Sequence, residues 1–170
     1  MAKKIVFAVI LIITVVVIIL FLKQKNPAKR LSSMITQKSQ EKAVDYKASF
    51  GIFTHGTFRI FTAAMYHNLS DDVFIQSDNP NIVHVKKGSI TWGDFFNTLP
   101  FKLTKECLTT GTGETFCSGK GGTLRFYLNR VRDNDLLSKP IGSADTVLVT
   151  FGNEDDSQIQ REFQSIPQIK

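Results

Sequence analysis

The sequence predicts an α+β protein in which a single N-terminal transmembrane helix and a polar stalk precede a small, strand-dominated domain. Three observations lead there. Residues 5–22 read IVFAVILIITVVVIILFL, with Thr14 the only polar member. Residues 23–50 are polar with scattered Leu31, Met34, Ile35 and Val44. Beyond them, short apolar or alternating segments recur between turn signals, with only two stretches at helical spacing.

The apolar run follows a four-residue tail, residues 1–4. At ~1.5 Å per residue its length comes to ~27 Å, close to the hydrocarbon thickness of a bilayer. It is longer than the ~7–15 apolar residues of a cleaved signal peptide. The following KQKNPAKR lacks a small-x-small cleavage pattern, so an uncleaved single-pass signal-anchor in contact with membrane lipid is expected. Lys3 and Lys4 flank one end, and Lys23, Lys25, Lys29 and Arg30 the other. By the positive-inside rule these flanks lean toward a cytoplasmic domain. The signal-like start and the two cysteines favour an extracytoplasmic one, and that is the expectation adopted.

The net charge of +6 is local in origin. Six of the 21 Lys and Arg residues lie within residues 1–30, which hold no Asp or Glu. The other 15 balance 15 acidic residues. No basic stripe with interleaved aromatics is present, so a nucleic-acid partner is not expected.

The globular domain is expected over 51–170. TFRIF (Thr57–Phe61), DVFIQ (Asp72–Gln76) and NIVHVK (Asn81–Lys86) read as strands, the last two separated by the turn signal SDNP. In GSITWGDFFNTLP, Thr91 and Asp94 stand at capping-box spacing, and Trp92, Phe95, Phe96 and Leu99 share one helical face before Pro100. FKLTKECLTT and ETFC read as hairpin arms around GTG, while TLRFYLN and TVLVTFG are the clearest strand patterns. The closing NEDDSQIQREFQSIP begins acidic, as suits a helix N-terminus, and sets Ile159, Phe163 and Ile166 in one stripe.

Cys107 and Cys117 are the only cysteines. A C-x9-C pair around a glycine turn places them opposite each other on a hairpin, where cross-strand Cα atoms ~4.5–5.5 Å apart fall within disulfide range. Closing the 11-residue loop would stabilise the fold by ~2.8 kcal/mol on the chain-entropy model. A redox dithiol favours C-x-x-C and a zinc site favours four ligands, and neither pattern occurs. A structural disulfide is expected, and with it an oxidising compartment.

The histidines are His55, His67 and His84. Histidines on neighbouring strands can approach one ion, so His55 and His84, with Asp78 or His67, are candidate ligands for Cu or Zn. Lone strand histidines are more often ordinary hydrogen-bonded side chains. GTGETF and GKGG open no helix, which argues against a phosphate cradle, and no catalytic residue is assigned. The sequon NLS makes Asn68 a candidate glycosylation site.

ITWGDFFNTLPFKLTKECLTTGTGETFC, LRFYLN, ADTVLVTFGNE and IQREFQSIP together resemble a group of small membrane-anchored extracytoplasmic proteins of archaea and candidate-phylum bacteria. The resemblance covers roughly residues 53–169 and is strongest from Thr91 onward. That group carries histidine-rich signatures that look like a metal site. Here His55 matches the second histidine of an H-x-H whose first position is Phe53. His84 matches the first of a later pair whose second position is Lys86, and a further histidine position falls near Gln76. The resemblance thus implies a reduced metal site. Some relatives carry a protein-disulfide isomerase label, which the missing C-x-x-C does not support. The closing strands imply a β-grasp-like fold. Asn129-Arg130 stands where the group has Asn-Gly, which argues against a tight type I′ turn.

The function expected first is a membrane-tethered, disulfide-stapled binding module without catalytic activity, contacting an envelope protein or a ligand. The alternative is a Cu- or Zn-handling protein, and third comes a thiol–disulfide redox protein.

Overall fold

The computed structural model describes residues 14–19 and 43–169. These fall in two separate units, divided between Gln40 and Glu41. In the first, residues 14–19 are helical and exposed. No helix among the described residues is long and apolar enough to cross a membrane. The expected single N-terminal transmembrane helix is corrected on that ground. The rest of 5–22, the tail 1–4 and the stalk up to residue 42 lie outside the described residues.

In the second unit the chain enters the sheet at Ala43, before the Gly51 boundary read from the sequence. β1 (Ala43–Thr54) alternates exposed and half-buried residues over its first half and is buried throughout its second. β2 (Thr57–Phe58), β3 (Val73–Phe74) and β4 (Ile82–Lys87) follow, then the helix α1 (Trp92–Thr98). Next come β5 (Lys102–Leu103), β6 (Cys107–Thr109), β7 (Thr115–Cys117), β8 (Thr123–Leu128) and β9 (Val131–Arg132). β10 (Thr146–Gly152) and the helix α2 (Asp156–Ser165) close the domain.

A seven-stranded sheet runs β3-β4-β1-β10-β8-β9, with β2 added on β1, and β5-β6-β7 form a separate three-stranded sheet. The β-grasp-like expectation is amended to this larger mixed sheet with its second, smaller one. β1 and β10 lie side by side in parallel, from Ser49↔Thr146 to Thr54↔Phe151, and every other pairing is antiparallel.

Side chains alternate along β1, so it feeds two cores. Ala48, Phe50 and Ile52 join the larger one with Trp92, Phe95 and Phe96 of α1 and Val147, Val149 and Phe151 of β10. Phe53 joins the smaller one with Leu148 and with Ile159, Phe163 and Ile166 beneath α2. Gly51 lies on this second face because a Cβ there would come within 2.7 Å of Ile166 Cγ1. The glycine that looked like a boundary therefore admits the C-terminal segment to the middle of the sheet.

Both helices start with a complete capping box. In α1 the Thr91 hydroxyl accepts from Asp94 N at 3.0 Å, and the Asp94 carboxylate accepts from Thr91 N at 2.9 Å. In α2 Asp155 and Gln158 exchange the same two bonds, each at 2.8 Å. Each box satisfies two backbone donors that a helix start leaves without partners.

The turn between β8 and β9 departs from expectation. Asn129 and Arg130 both have positive φ, 51° and 71°, as a type I′ turn requires. The Asn129 side chain holds it, accepting from Thr146 N at 2.8 Å and donating to Asp145 at 2.9 Å. Arg130 donates to Gln160 at 2.7 Å and lies over the Phe163 ring. Contacts with α2 thus accompany the left-handed conformation in place of a glycine.

Cys107 and Cys117 are cross-strand partners in the β6–β7 hairpin, their Cα atoms 4.2 Å apart, and form the expected disulfide. Replacing both by serine should destabilise the domain by about 3 kcal/mol through lost chain-entropy restriction. Urea unfolding of variant and wild type measures this, and equal midpoints would show the staple to be dispensable.

Candidate functional site

β1 ends in a two-residue turn, His55-Gly56, with φ of 50° and 71°. The turn returns the chain as β2, setting Thr57 opposite Thr54 and Phe58 opposite Phe53. Arg59 N still donates to Ile52 O at 2.8 Å before the chain leaves the sheet. Phe61 then drops into the core, 4% exposed, whereas Ile60 points outward, 68% exposed. Across from this segment stands the disulfide hairpin, with Leu108 and Phe116 buried in the larger core.

Between them lies a cleft of about 250 Å³, with Ile52, Phe61, Phe101 and Leu108 as its apolar lining. Phe58 and Ile60 line it from the β2 side, Thr110–Thr112 from the hairpin turn, and Tyr66 also contributes. Among the described residues Arg59 is the one charged member of the lining, which includes no carboxylate, imidazole or thiol. Arg59 Nε donates to Thr54 Oγ1 at 2.6 Å and the guanidinium lies 5.2 Å from the Phe116 ring centre. Its remaining partner is Glu114, at 3.5 Å and largely exposed. The arrangement is a small apolar hollow with one fixed, half-exposed cation at its edge.

The candidate metal ligands do not converge. His84, on β4, lies opposite Lys47 of β1 and Phe74 of β3, and its ring stacks on Phe74 at 5.1 Å. Burial lowers its pKa, Lys47 and Lys86 add to that, and Asp78 and Asp45 oppose it. His55 follows Thr54 at the far end of β1, against the rings of Phe151 and Phe116. Lys47 and His55 are separated by eight positions of extended chain, roughly 26 Å, so His55 and His84 cannot share an ion. His67 Nε2 pairs with Phe61 O at 2.8 Å, and Asp78 accepts from Asn79 at 3.3 Å. Among the described residues no group of three or more His, Cys, Asp or Glu could hold a metal. Asn68 is exposed and has positive φ, 52°.

A second cluster lies on the α2 face. Arg125 of β8 donates from Nη2 to Glu154 Oε2 at 2.7 Å and from Nη1 to Glu154 O at 2.9 Å. Both side chains are largely buried, 14% and 6% exposed. The Glu154 carboxylate lies where any side chain on residue 152 would stand, since a Cβ on Gly152 would overlap Glu154 Oε1. Beside this pair Glu162 of α2 is 5% exposed. Its Oε1 accepts from Thr150 at 3.3 Å, while Oε2 is buried without a partner. Burial, reinforced by Glu154, raises the Glu162 carboxyl from 4.5 to about 7, against the opposing effects of Thr150 and Arg125. A hollow of about 220 Å³ borders this carboxyl, with Phe53, Gly56, Arg161 and Ser165 among its lining.

Neither Arg59 nor Glu162 was singled out in the sequence. Glu162 did leave a signal, because Ile159, Glu162, Phe163 and Ile166 occupy the i, i+3, i+4 and i+7 places of one buried stripe. Arg59 left none, being one polar residue in an apolar strand pattern.

Comparison with known proteins found no matching family model, no matching curated protein and no matching solved structure.

The raised carboxyl has a pH consequence. Between pH 4.5 and about 7 the folded chain keeps on Glu162 a proton that the unfolded chain has already released. The native state thus binds more protons across that window, and its stability falls as pH rises through it. Glu162→Gln removes the titration and should gain up to about 3 kcal/mol on the wild type between pH 5 and pH 8. Urea unfolding at both pH values gives the difference. The same variant-minus-wild-type gap at each pH would overturn this account of Glu162.

Proposed function

We propose that this protein is a non-catalytic, disulfide-stapled binding module that works in an oxidising, extracytoplasmic compartment. The observation that carries the reading is the cleft between β2 and the disulfide hairpin. Its apolar floor and single placed cation suit recognition, since binding sites combine a mostly apolar lining with a few polar groups that orient the ligand. General acid–base or covalent chemistry needs a titratable group or activated nucleophile in reach of the bound molecule. Among the described residues the lining's titratable groups are the Tyr66 phenol and the Arg59 guanidinium, and it holds no carboxylate, imidazole or thiol.

The oxidised cysteine pair supports the compartment, because disulfides persist where thiols are not kept reduced. It also supports a mechanical role for the pair, since β6–β7 carries the Thr110–Thr112 wall on the loop that the bond closes. Cu or Zn handling has weaker support, because His55 and His84 are separated along β1 and no group of three or more His, Cys, Asp or Glu among the described residues could hold a metal. Thiol–disulfide exchange lacks the motif that would activate one sulfur.

The test is a titration of the isotope-labelled full-length chain with small neutral, cationic and anionic aromatic and aliphatic fragments, followed by amide chemical shifts. Saturable shifts are expected at residues 58–61, Tyr66 and residues 110–112. If no fragment of any charge moves those signals, the cleft is not a ligand site and the reading falls.

A further inference from the structure

We infer that the cleft takes a small carboxylic acid with an apolar body, its carboxylate paired with Arg59 and its body on Ile52, Phe61, Phe101 and Leu108. This deepens, and rests on, the binding function proposed above.

Three observations carry the inference. The first is charge. Arg59 is the only ionisable group among the described lining residues other than the Tyr66 phenol, so an anion is the charge that the lining itself attracts. A guanidinium is always protonated, and its fork of donors matches a carboxylate better than a point cation would.

The second is the way Arg59 is held. Thr54 takes Nε and the Phe116 ring lies under the guanidinium, so the side chain is already in place before a ligand arrives. Its ion pair with Glu114 is 3.5 Å long and solvent-exposed, of the class that contributes little to stability. No hydrogen bond engages Nη1 among the described residues. A ligand carboxylate can therefore replace Glu114 at small cost and gain a second donor.

The third is size and polarity. A cleft of about 250 Å³ is smaller than the ~300–1,000 Å³ that hold drug-sized ligands, which limits the occupant to an aryl or short branched acid. A dianion such as a phosphate monoester fits poorly. One guanidinium answers one charge, and the second would lose water for neutral hydroxyl partners alone in a mostly apolar lining.

The experiment uses the full-length chain with 3-phenylpropanoate and its neutral amide, 3-phenylpropanamide, measured by amide shifts and calorimetry. The acid should bind at least about tenfold more tightly, the scale of a charge-assisted bond. Arg59→Gln should bring the acid down to the amide's affinity. Glu114→Gln removes the competing carboxylate without touching the core. It should tighten acid binding up to about fivefold while leaving the amide unchanged, and it decides the matter should Arg59→Gln fail to fold.

Equal binding of acid and amide, or an acid preference that survives Arg59→Gln, overturns the ligand class. Amide shifts at the cleft would then leave the binding function standing. Silence from both compounds overturns the ligand class, and only silence from every fragment removes the binding function as well.

Discussion

The parallel pairing of β1 with β10 is the constraint on which the domain depends. The two strands lie at the centre of the sheet and are buried on both faces over Ser49–Thr54 and Val147–Gly152. A strand in that position needs an apolar or small side chain at every residue, and each face needs its own cover. α1 covers one face and α2 the other, with Phe50 and Ile52 turned toward the first and Phe53 and Leu148 toward the second. Strands joined in parallel must also be linked by a long crossover. Here the link holds β2–β9 and α1, so the disulfide hairpin and all of the cleft's described lining except Ile52 come from the connection between two central strands.

That geometry places the two sites. The cleft forms where β1 runs out: its last residues turn back as β2, and the hairpin packs against the turned segment through Phe116, the Arg59 guanidinium and the His55 ring. The disulfide acts within the hairpin, while packing attaches the hairpin to the sheet. Glu162 lies on the opposite face for a related reason. α2 buries Ile159, Phe163 and Ile166 against β1 and β10, and the helical period brings residue 162 down with them. Arg125 could answer one carboxylate, and its short bonds go to Glu154. Glu162 is left with a buried carboxyl, and burial favours the protonated form against the one long bond from Thr150.

Much was legible in the sequence where local rules decide the outcome. The capping box of α1, its aromatic face, the C-x9-C staple and the strands Thr123–Leu128 and Thr146–Gly152 all rest on interactions within a few residues of each other. β1 was not legible as a strand. Its first half mixes charged and half-buried residues, and its second half contains Ser49 and Gly51, which look like breaks until Ile166 is seen packing on the glycine. The Asn129-Arg130 turn was hidden for a similar reason. Isolated preference disfavours arginine at positive φ, but Thr146, Asp145, Gln160 and Phe163 hold it from distant parts of the chain.

The candidate site divides the same way. By itself the sequence determined the disulfide, the helix starts, the apolar stripes and the formal neutrality of residues 31–170, because composition, spacing and short-range hydrogen bonding suffice for each. Which polar residues stand together was decided only by the tertiary structure. His55 follows the end of β1 and His84 sits on β4 opposite Lys47, whereas Arg59 shares a cleft with Thr110–Thr112 and Glu162 stands by Thr150 and Glu154, placements that local preference does not encode. Those placements follow from the register of a sheet and the seating of a helix, which depend on packing the whole core at once.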